Sequence, residues 1–194
     1  MKWYAYTLVF FIVSSFGFQN NPQTWTDIER ETANTAATAS YLSTTEKQII
    51  YYLNLARLYP KKFALLEVKD YYLNNNLTDS KYKKSLLKEL NNMEPLNALQ
   101  PKEALYINAK CLQLEQGKSG EMGHKRKRCE KKNYAECCAY GSPTAREVVV
   151  DLLIDLNIPN LGHRKVCLHP SFKNIGVSHG KHKKHGVSTV IEFQ

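Results

Sequence analysis

The sequence predicts an α+β domain. Two observations carry that expectation. Apolar residues recur at helical spacing over most of the chain between Ser43 and Leu156, while the segments Asn174 to His179 and Val187 to Phe193 read as strands. Helices flanking a few strands make the fold mixed rather than all-helical. No internal repeat is visible, and 194 residues fit one domain plus a leader or tail.

Taken in order, the chain opens with Lys2 and a short apolar run, Trp3 to Val13. Small residues at Ser15 and Gly17 follow, so residues 1–17 read as a cleaved signal peptide, too short to span a bilayer comfortably. The alternative is an uncleaved anchor. Residues 18–43, rich in Asn, Thr, Ala and Ser, read as a flexible N-terminal segment, and residues 44–194 as the domain. Ser43-Thr44-Thr45-Glu46 fits a capping box that starts a helix through Ile49, Leu53 and Ala56, ending near Pro60. A second helical stretch runs from Pro60 to Leu73 and breaks at Asn74-Asn75-Asn76. Residues 80–93 are charged, with Leu86, Leu87 and Leu90 at helical spacing, as in a surface helix or an insertion.

Pro101 opens the next helix, with Leu105, Ala109 and Leu112 on one face and Gly117 and Gly120 at its end. A basic loop from His124 to Lys132 and a short strand from Tyr134 to Tyr140 follow. The clearest helix comes after Pro143: Ala145, Val148, Val149, Leu152, Leu153 and Leu156 hold one stripe. The two C-terminal strands enclose a Gly/Lys/His-rich stretch, which predicts a hairpin with a long loop.

The formal charge is +9, much of it in two clusters, His124–Arg128 with Lys131-Lys132, and Lys181–His185. Such runs attract anionic polymers or membrane surfaces, or serve as solvated loops. No aromatic residues are interleaved for base stacking, so nucleic acid is not an expected partner. No segment after the leader is apolar enough to cross a membrane, which predicts a soluble, exported protein, secreted or periplasmic. Export permits disulfides among Cys111, Cys129, Cys137, Cys138 and Cys167, and an odd number leaves at least one thiol outside any internal pair. Adjacent Cys137 and Cys138 point to opposite sides of a strand. No Cys-x-x-Cys pair supports a zinc ribbon.

Four residues stand out for chemistry. His124 follows Gly123 at a helix-to-loop transition, where it is either a functional group or a surface histidine in a basic run. Glu136 sits in an otherwise small and apolar strand, facing solvent or buried with a partner. Asp155 shares a helix face with Asp151 and lies near the helix C-terminus, where the dipole disfavours negative charge unless an imidazolium or a metal stands by. His163, in Gly162-His163-Arg164, follows eight residues later, a length that folds back beside the helix end. Two imidazoles and two carboxylates suit Zn²⁺ or another borderline divalent cation; without metal they suit proton transfer. His179, His182 and His185 form a second candidate cluster, weighed against a flexible basic hairpin loop.

In their order and spacing, these motifs resemble the CAP (SCP-like) superfamily of cysteine-rich secretory, venom-allergen and pathogenesis-related proteins, in its bacterial exported branch. The resemblance runs from about Thr45 to Phe193. It rests on Asn54-x-x-Arg57 with Pro60 and Phe63, on Leu96 to Pro101 with Leu105 and Ala109, on Met122-Gly123-His124, and on Tyr134-Ala135-Glu136. Gly162-His163-Arg164, Pro170-Ser171-Phe172 and Ile175-Gly176-Val177 complete it. It implies a three-layer α–β–α sandwich with a small central antiparallel sheet. It also implies a cavity holding two His and two acids able to bind a divalent cation: His124, Glu136, His163, and Asp155 where the family usually has Glu. Ala135 and Cys137 replace the Gly and Asn that usually flank the strand acid.

The resemblance and the charge together lead to a monomeric binding module for lipid, peptide or an anionic envelope polymer. The competing expectation is a metal-dependent or His/acid hydrolase with His163 and Asp155 as its acid–base pair. No serine stands in a Gly-x-Ser-x-Gly context.

Overall fold

A computed structural model describes residues 24–74, 80–130 and 132–194. The leader assigned to residues 1–17 lies outside the described residues. Helices α1 (Asp27–Ala33), α2 (Thr44–Leu58) and α3 (Pro60–Phe63) come first. A π-helical turn at Ala64–Val68 joins α3 to α4 (Lys69–Asn74). Then come α5 (Lys81–Asn92), β1 (Gln100–Pro101), α6 (Glu103–Ser119), β2 (Ala135–Tyr140), α7 (Ala145–Ile154), α8 (Gly162–Cys167), β3 (Asn174–His182) and β4 (Gly186–Phe193).

Among the described residues the sheet has four strands in the order β1-β3-β4-β2. The β2–β4 and β3–β4 pairs are antiparallel, but β1 runs parallel to β3, so the sheet is mixed rather than wholly antiparallel. Chain connectivity explains this. β1 reaches β3 only through a crossover that contains α6, β2, α7 and α8, and parallel neighbours need such long connections.

Helices cover both faces of the sheet. α6 lies on β3 and β4, while α2, α7 and α8 lie on the other side against β2, β3 and each other. The core divides accordingly. Cys137, Ile175, Val177, Ile191 and Phe193 join the large cluster with α2, α5 and α7, and Cys138 and Val190 join Ala109 and Leu112 of α6. Adjacent Cys137 and Cys138 therefore face opposite ways, as strand alternation requires. Leu86 and Leu90 bury α5 into the large cluster, so that helix is part of the core rather than an appendage.

Local signals explain the boundaries. Ser43 and Glu46 form the capping box of α2, and Thr144 and Glu147 form a second one that starts α7. Gly120, in the left-handed region at φ 75°, ends α6.

Three departures from the sequence reading have physical causes. Residues 24–43 are not loosely attached. Thr26 and Glu29 cap α1, Glu29 meets Lys62 at 2.6 Å, Trp25 donates to Glu67 at 2.7 Å, and Ala33 and Ala36 are buried. Alanine supplies this packing with little hydrophobic periodicity to read. The helix stripe drawn through Leu156 stops two residues earlier, because Asp155 turns left-handed at φ 56° and Leu156 emerges exposed. The C-terminal hairpin has a tight turn rather than a long loop. The His182 ring Nδ1 accepts from the backbone N–H groups of Lys184 and His185, at 3.3 and 3.2 Å, and holds the turn closed.

Asn54 and Arg57 of α2 are buried staples. Asn54 donates to the Ala33 and Leu99 carbonyls and accepts from the Leu99 N–H at 2.8 Å. Fully buried Arg57 donates to the carbonyls of Asn97, Cys167, His169 and Phe172 at 2.9–3.2 Å.

A candidate metal-binding and acid–base site

Two pairs of side chains gather beside β2, the edge strand next to β4. The first pair depends on strand period. Glu136 and Cys138 are two apart on β2 and so share a face. His124 reaches that face from the loop after α6. Its neighbour Gly123, at φ 92°, donates its N–H to the Tyr140 hydroxyl at 2.9 Å and accepts at its carbonyl from Gln116. His124 Nδ1 lies 2.8 Å from Glu136 Oε1 and 3.8 Å from Cys138 Sγ. Donor atoms of His124, Glu136 and Cys138 all lie within 4.8 Å of one another, so this cluster can hold a metal ion.

The basic loop that carries His124 is anchored, not merely solvated. A disulfide joins Cys111 of α6 to Cys129. The Glu115 carboxylate accepts from the N–H groups of Lys127 and Arg128 at 2.7 and 3.2 Å. Arg126 turns inward, only 5% exposed, to bridge Glu136 and Glu192, which stand opposite each other across β2 and β4. Like charges directly opposite on a sheet repel, and Arg126 relieves that. Burial still pushes the Glu192 carboxyl up to about 7, against the pull of Arg126, and its Oε2 has no hydrogen-bond partner. Burial likewise pushes the Cys138 thiol up to about 12, which keeps it protonated at neutral pH in the absence of metal.

The second pair is Asp155 and His163. Asp155 is the left-handed C-cap of α7, and its carboxylate reaches the start of α8. Oδ1 lies 2.8 Å from His163 Nδ1, while Oδ2 accepts from the His163 N–H at 2.9 Å and, at 3.4 Å, from that of Arg164. The dipole penalty at the end of α7 is thus met by the N-terminal amides of the next helix and by an imidazole. Arg164 secures the junction. Its buried guanidinium donates to the Leu153 and Ile154 carbonyls at the end of α7, and to the Tyr82 carbonyl and Ser85 hydroxyl at α5.

A cavity of about 370 Å³ lies beside this pair, lined in part by Cys138, Tyr140, Asp155, Ile158 and His163. Asp151, expected on the same helix face as Asp155, also borders it. Burial raises the Asp151 carboxyl, opposed by hydrogen bonds from Ser142 at 2.7 Å and Tyr71 at 3.1 Å.

The four residues singled out in the sequence thus stand as two hydrogen-bonded pairs, with Cys138 touching the first and lining the cavity of the second. Sequence reasoning missed Cys138, Arg126 and Glu192. Period-two spacing from Glu136 was a signal for Cys138, and a lone acid in the apolar run Val190-Ile191-Glu192-Phe193 was one for Glu192. Arg126 has no signal within its basic run.

Two histidines of the second candidate cluster stay together: the His182 and His185 rings lie 5.1 Å apart, both against Tyr140. His182 is buried and fixes the hairpin turn, His185 Nε2 lies 3.1 Å from Met122 Sδ, and His179 bonds Thr189. Burial lowers the His179 pKa, against the raising effect of Glu46. A depressed histidine stabilises the fold fully above its unfolded value of 6.5, and that contribution is lost as pH falls below it. His179→Gln is therefore expected to lose less stability than wild type between about pH 7 and pH 5, as read from urea midpoints. Parallel slopes would show that His179 does not titrate with folding.

Among the described residues, no helix is long and apolar enough to cross a membrane. No protein-family model matches this chain and no curated protein matches it, so its functional assignment rests on the ordered residues and the geometry around β2.

Proposed function

We propose that this chain is an exported CAP-like binding module whose His/acid cavity holds a divalent cation beside a ligand pocket. The observation that carries the reading is the approach of His124 Nδ1, Glu136 Oε1 and Cys138 Sγ within 4.8 Å, at the strand that also walls the Asp155–His163 cavity. Imidazole and carboxylate donors suit zinc and similar borderline ions. The resemblance supplies export and the ligand class: lipid, peptide or an anionic envelope polymer, the last favoured by the +9 charge.

Calorimetric Zn²⁺ titration of the mature protein tests the cation. The wild type is expected to bind one ion and His124→Ala/His163→Ala to bind none. Equal binding by the two proteins would sink the reading. The single variants sort the ligands: a cation shared by both pairs is weakened by either substitution, whereas one held only at the first pair ignores His163→Ala.

One observation favours a second reading, a His/acid hydrolase. The 2.8 Å Asp155–His163 pair is the orienting half of an acid–base constellation facing a cavity. Among the described residues, no hydroxyl or thiol is hydrogen-bonded to the His163 ring, so the nucleophile would be water. Turnover of a peptide and ester panel, abolished by His163→Ala, is the result this reading requires.

A further inference from the structure

We propose that Cys138 ligates the cation directly as a thiolate, completing a His124–Glu136–Cys138 set that selects thiolate-binding divalent ions over Mg²⁺ and Ca²⁺. The inference rests on the reading that this site binds a cation, and it adds a ligand that the His/acid set does not contain. Three observations carry it.

The first is separation. Bonds of roughly 2.0–2.3 Å at tetrahedral angles place ligand atoms roughly 3.3–3.8 Å apart. Cys138 Sγ and His124 Nδ1 already stand 3.8 Å apart, and the 2.8 Å His124–Glu136 contact needs to open by only about half an ångström. The second is orientation. Arg126 occupies Glu136 Oε2, which leaves Oε1, the atom beside His124, as the coordinating oxygen. Arg126 then acts as the outer partner that orients a metal-bound carboxylate, held in turn by Glu192 at 2.5 Å. The third is chemistry. Sulfur is a poor ligand for Mg²⁺ and Ca²⁺, which take oxygen, and a good one for Zn²⁺ and Co²⁺.

Binding forms metal bonds to Cys138 Sγ, Glu136 Oε1 and His124 Nδ1. It breaks the S–H bond, and the proton that the neutral imidazole donates from Nδ1 to Glu136 moves to Nε2 with no net release. The thiol proton goes to the buffer, no electron moves, and Zn²⁺ or Co²⁺ keeps its oxidation state. The competing role for Cys138 is that of a small core residue packed on Ala109, Leu112 and Val190.

Co²⁺ substitution separates these roles. The Co²⁺-loaded wild type is expected to show the near-ultraviolet sulfur-to-cobalt charge-transfer band. Cys138→Ser is expected to lose the band and to bind Zn²⁺ more than about tenfold more weakly, since even outer-shell partners are worth ten- to a hundredfold. Cys137→Ser, on the opposite face of β2, is expected to keep both properties. Should Cys138→Ser fail to fold, the wild type alone decides. Zn²⁺ calorimetry in two buffers of different ionisation enthalpy, at about pH 8 and above the ordinary histidine range, is expected to count one proton released per ion. Metal bound without the band, no proton released, or unchanged Zn²⁺ affinity in a folded Cys138→Ser overturns the thiolate ligand and leaves the cation reading standing. No binding of either metal by the wild type overturns both.

Discussion

Arg164→Met is expected to destabilise the protein by about 4 kcal/mol, lowering the thermal midpoint by roughly 10 °C. Methionine preserves much of the side-chain length and removes every donor. What it leaves behind sets the size of the effect. The Leu153 and Ile154 carbonyls end α7 inside the protein and receive guanidinium N–H groups at 2.5 and 3.0 Å, and the Tyr82 carbonyl receives another at 3.0 Å. Each buried acceptor left unpaired costs about 1–3 kcal/mol, so even partial rehydration leaves a large deficit. The Glu89 carboxylate, 3.3 Å away, is half-exposed, and its ion pair adds little. Arg164→Lys keeps the charge but cannot serve three carbonyls and a hydroxyl from one ammonium, so it is expected to fall between. Because Arg164 joins the ends of α5, α7 and α8, its loss is also expected to loosen the junction that sets His163 beside Asp155. Zinc affinity then discriminates between the proposed arrangements: it falls with Arg164→Met if His163 is a ligand, and is retained in the folded fraction if the ion sits only at His124, Glu136 and Cys138. A midpoint within about 2 °C of wild type would show that water satisfies the α7 end and that the arginine is dispensable.

What the sequence revealed of this architecture, and what it hid, follows from the range of each interaction. Capping boxes are local, so Ser43–Glu46 is legible as a helix start, and the same reasoning applied to Thr144–Glu147 would have found the start of α7. Strand alternation is local too, and it places Glu136 and Cys138 on one face once β2 is drawn. The Arg57 acceptors, by contrast, lie 40 to 115 residues away, so the Asn54-x-x-Arg57 spacing identifies the residues without revealing that they fasten the 167–172 loop to α2.

Asp155 illustrates the same limit. Set against the resemblance, it is an acid one methylene too short. In three dimensions it is a left-handed cap whose carboxylate closes on an imidazole and on two amides of the next helix. Asp tolerates the left-handed region better than most residues, and its short side chain bonds nearby backbone groups, which suits this position. An aspartate at position 155 thus has a structural explanation before any role in ligation is considered.

Gly176→Ala is expected to cost about 3 kcal/mol, at the upper end of overpacking effects, and the identity of the atoms it meets is the reason. A Cβ at Gly176 would overlap the backbone of Leu105 and Tyr106 in the first turns of α6. Backbone cannot rotate out of the way, so the helix must lift from the sheet along its length. Gly180 on the same strand is the internal control. The atoms nearest a Cβ there belong to the side-chain amide of Gln113, at 2.9–3.1 Å, which can yield by giving up its 3.3 Å hydrogen bonds to Lys181 and Ser188 without moving backbone. Gly180→Ala is therefore expected to lower the urea midpoint much less than Gly176→Ala, and equal losses would show that β-strand backbone preference, rather than the approach of α6, sets both values. The consequence reaches the site. Gly176 pairs with Glu192 across the sheet, and α6 carries three of the site's supports: the Asn108 carbonyl that receives Arg126, the Gln116 amide that holds Gly123, and Cys111 of the disulfide. Lifting α6 moves all three away from Glu136 and Cys138 on β2. In folded Gly176→Ala the affinity for Zn²⁺ is thus expected to drop although every proposed ligand is intact, because the close approach of a glycine to a helix sets the distance between the loop that carries His124 and the strand that carries its partners.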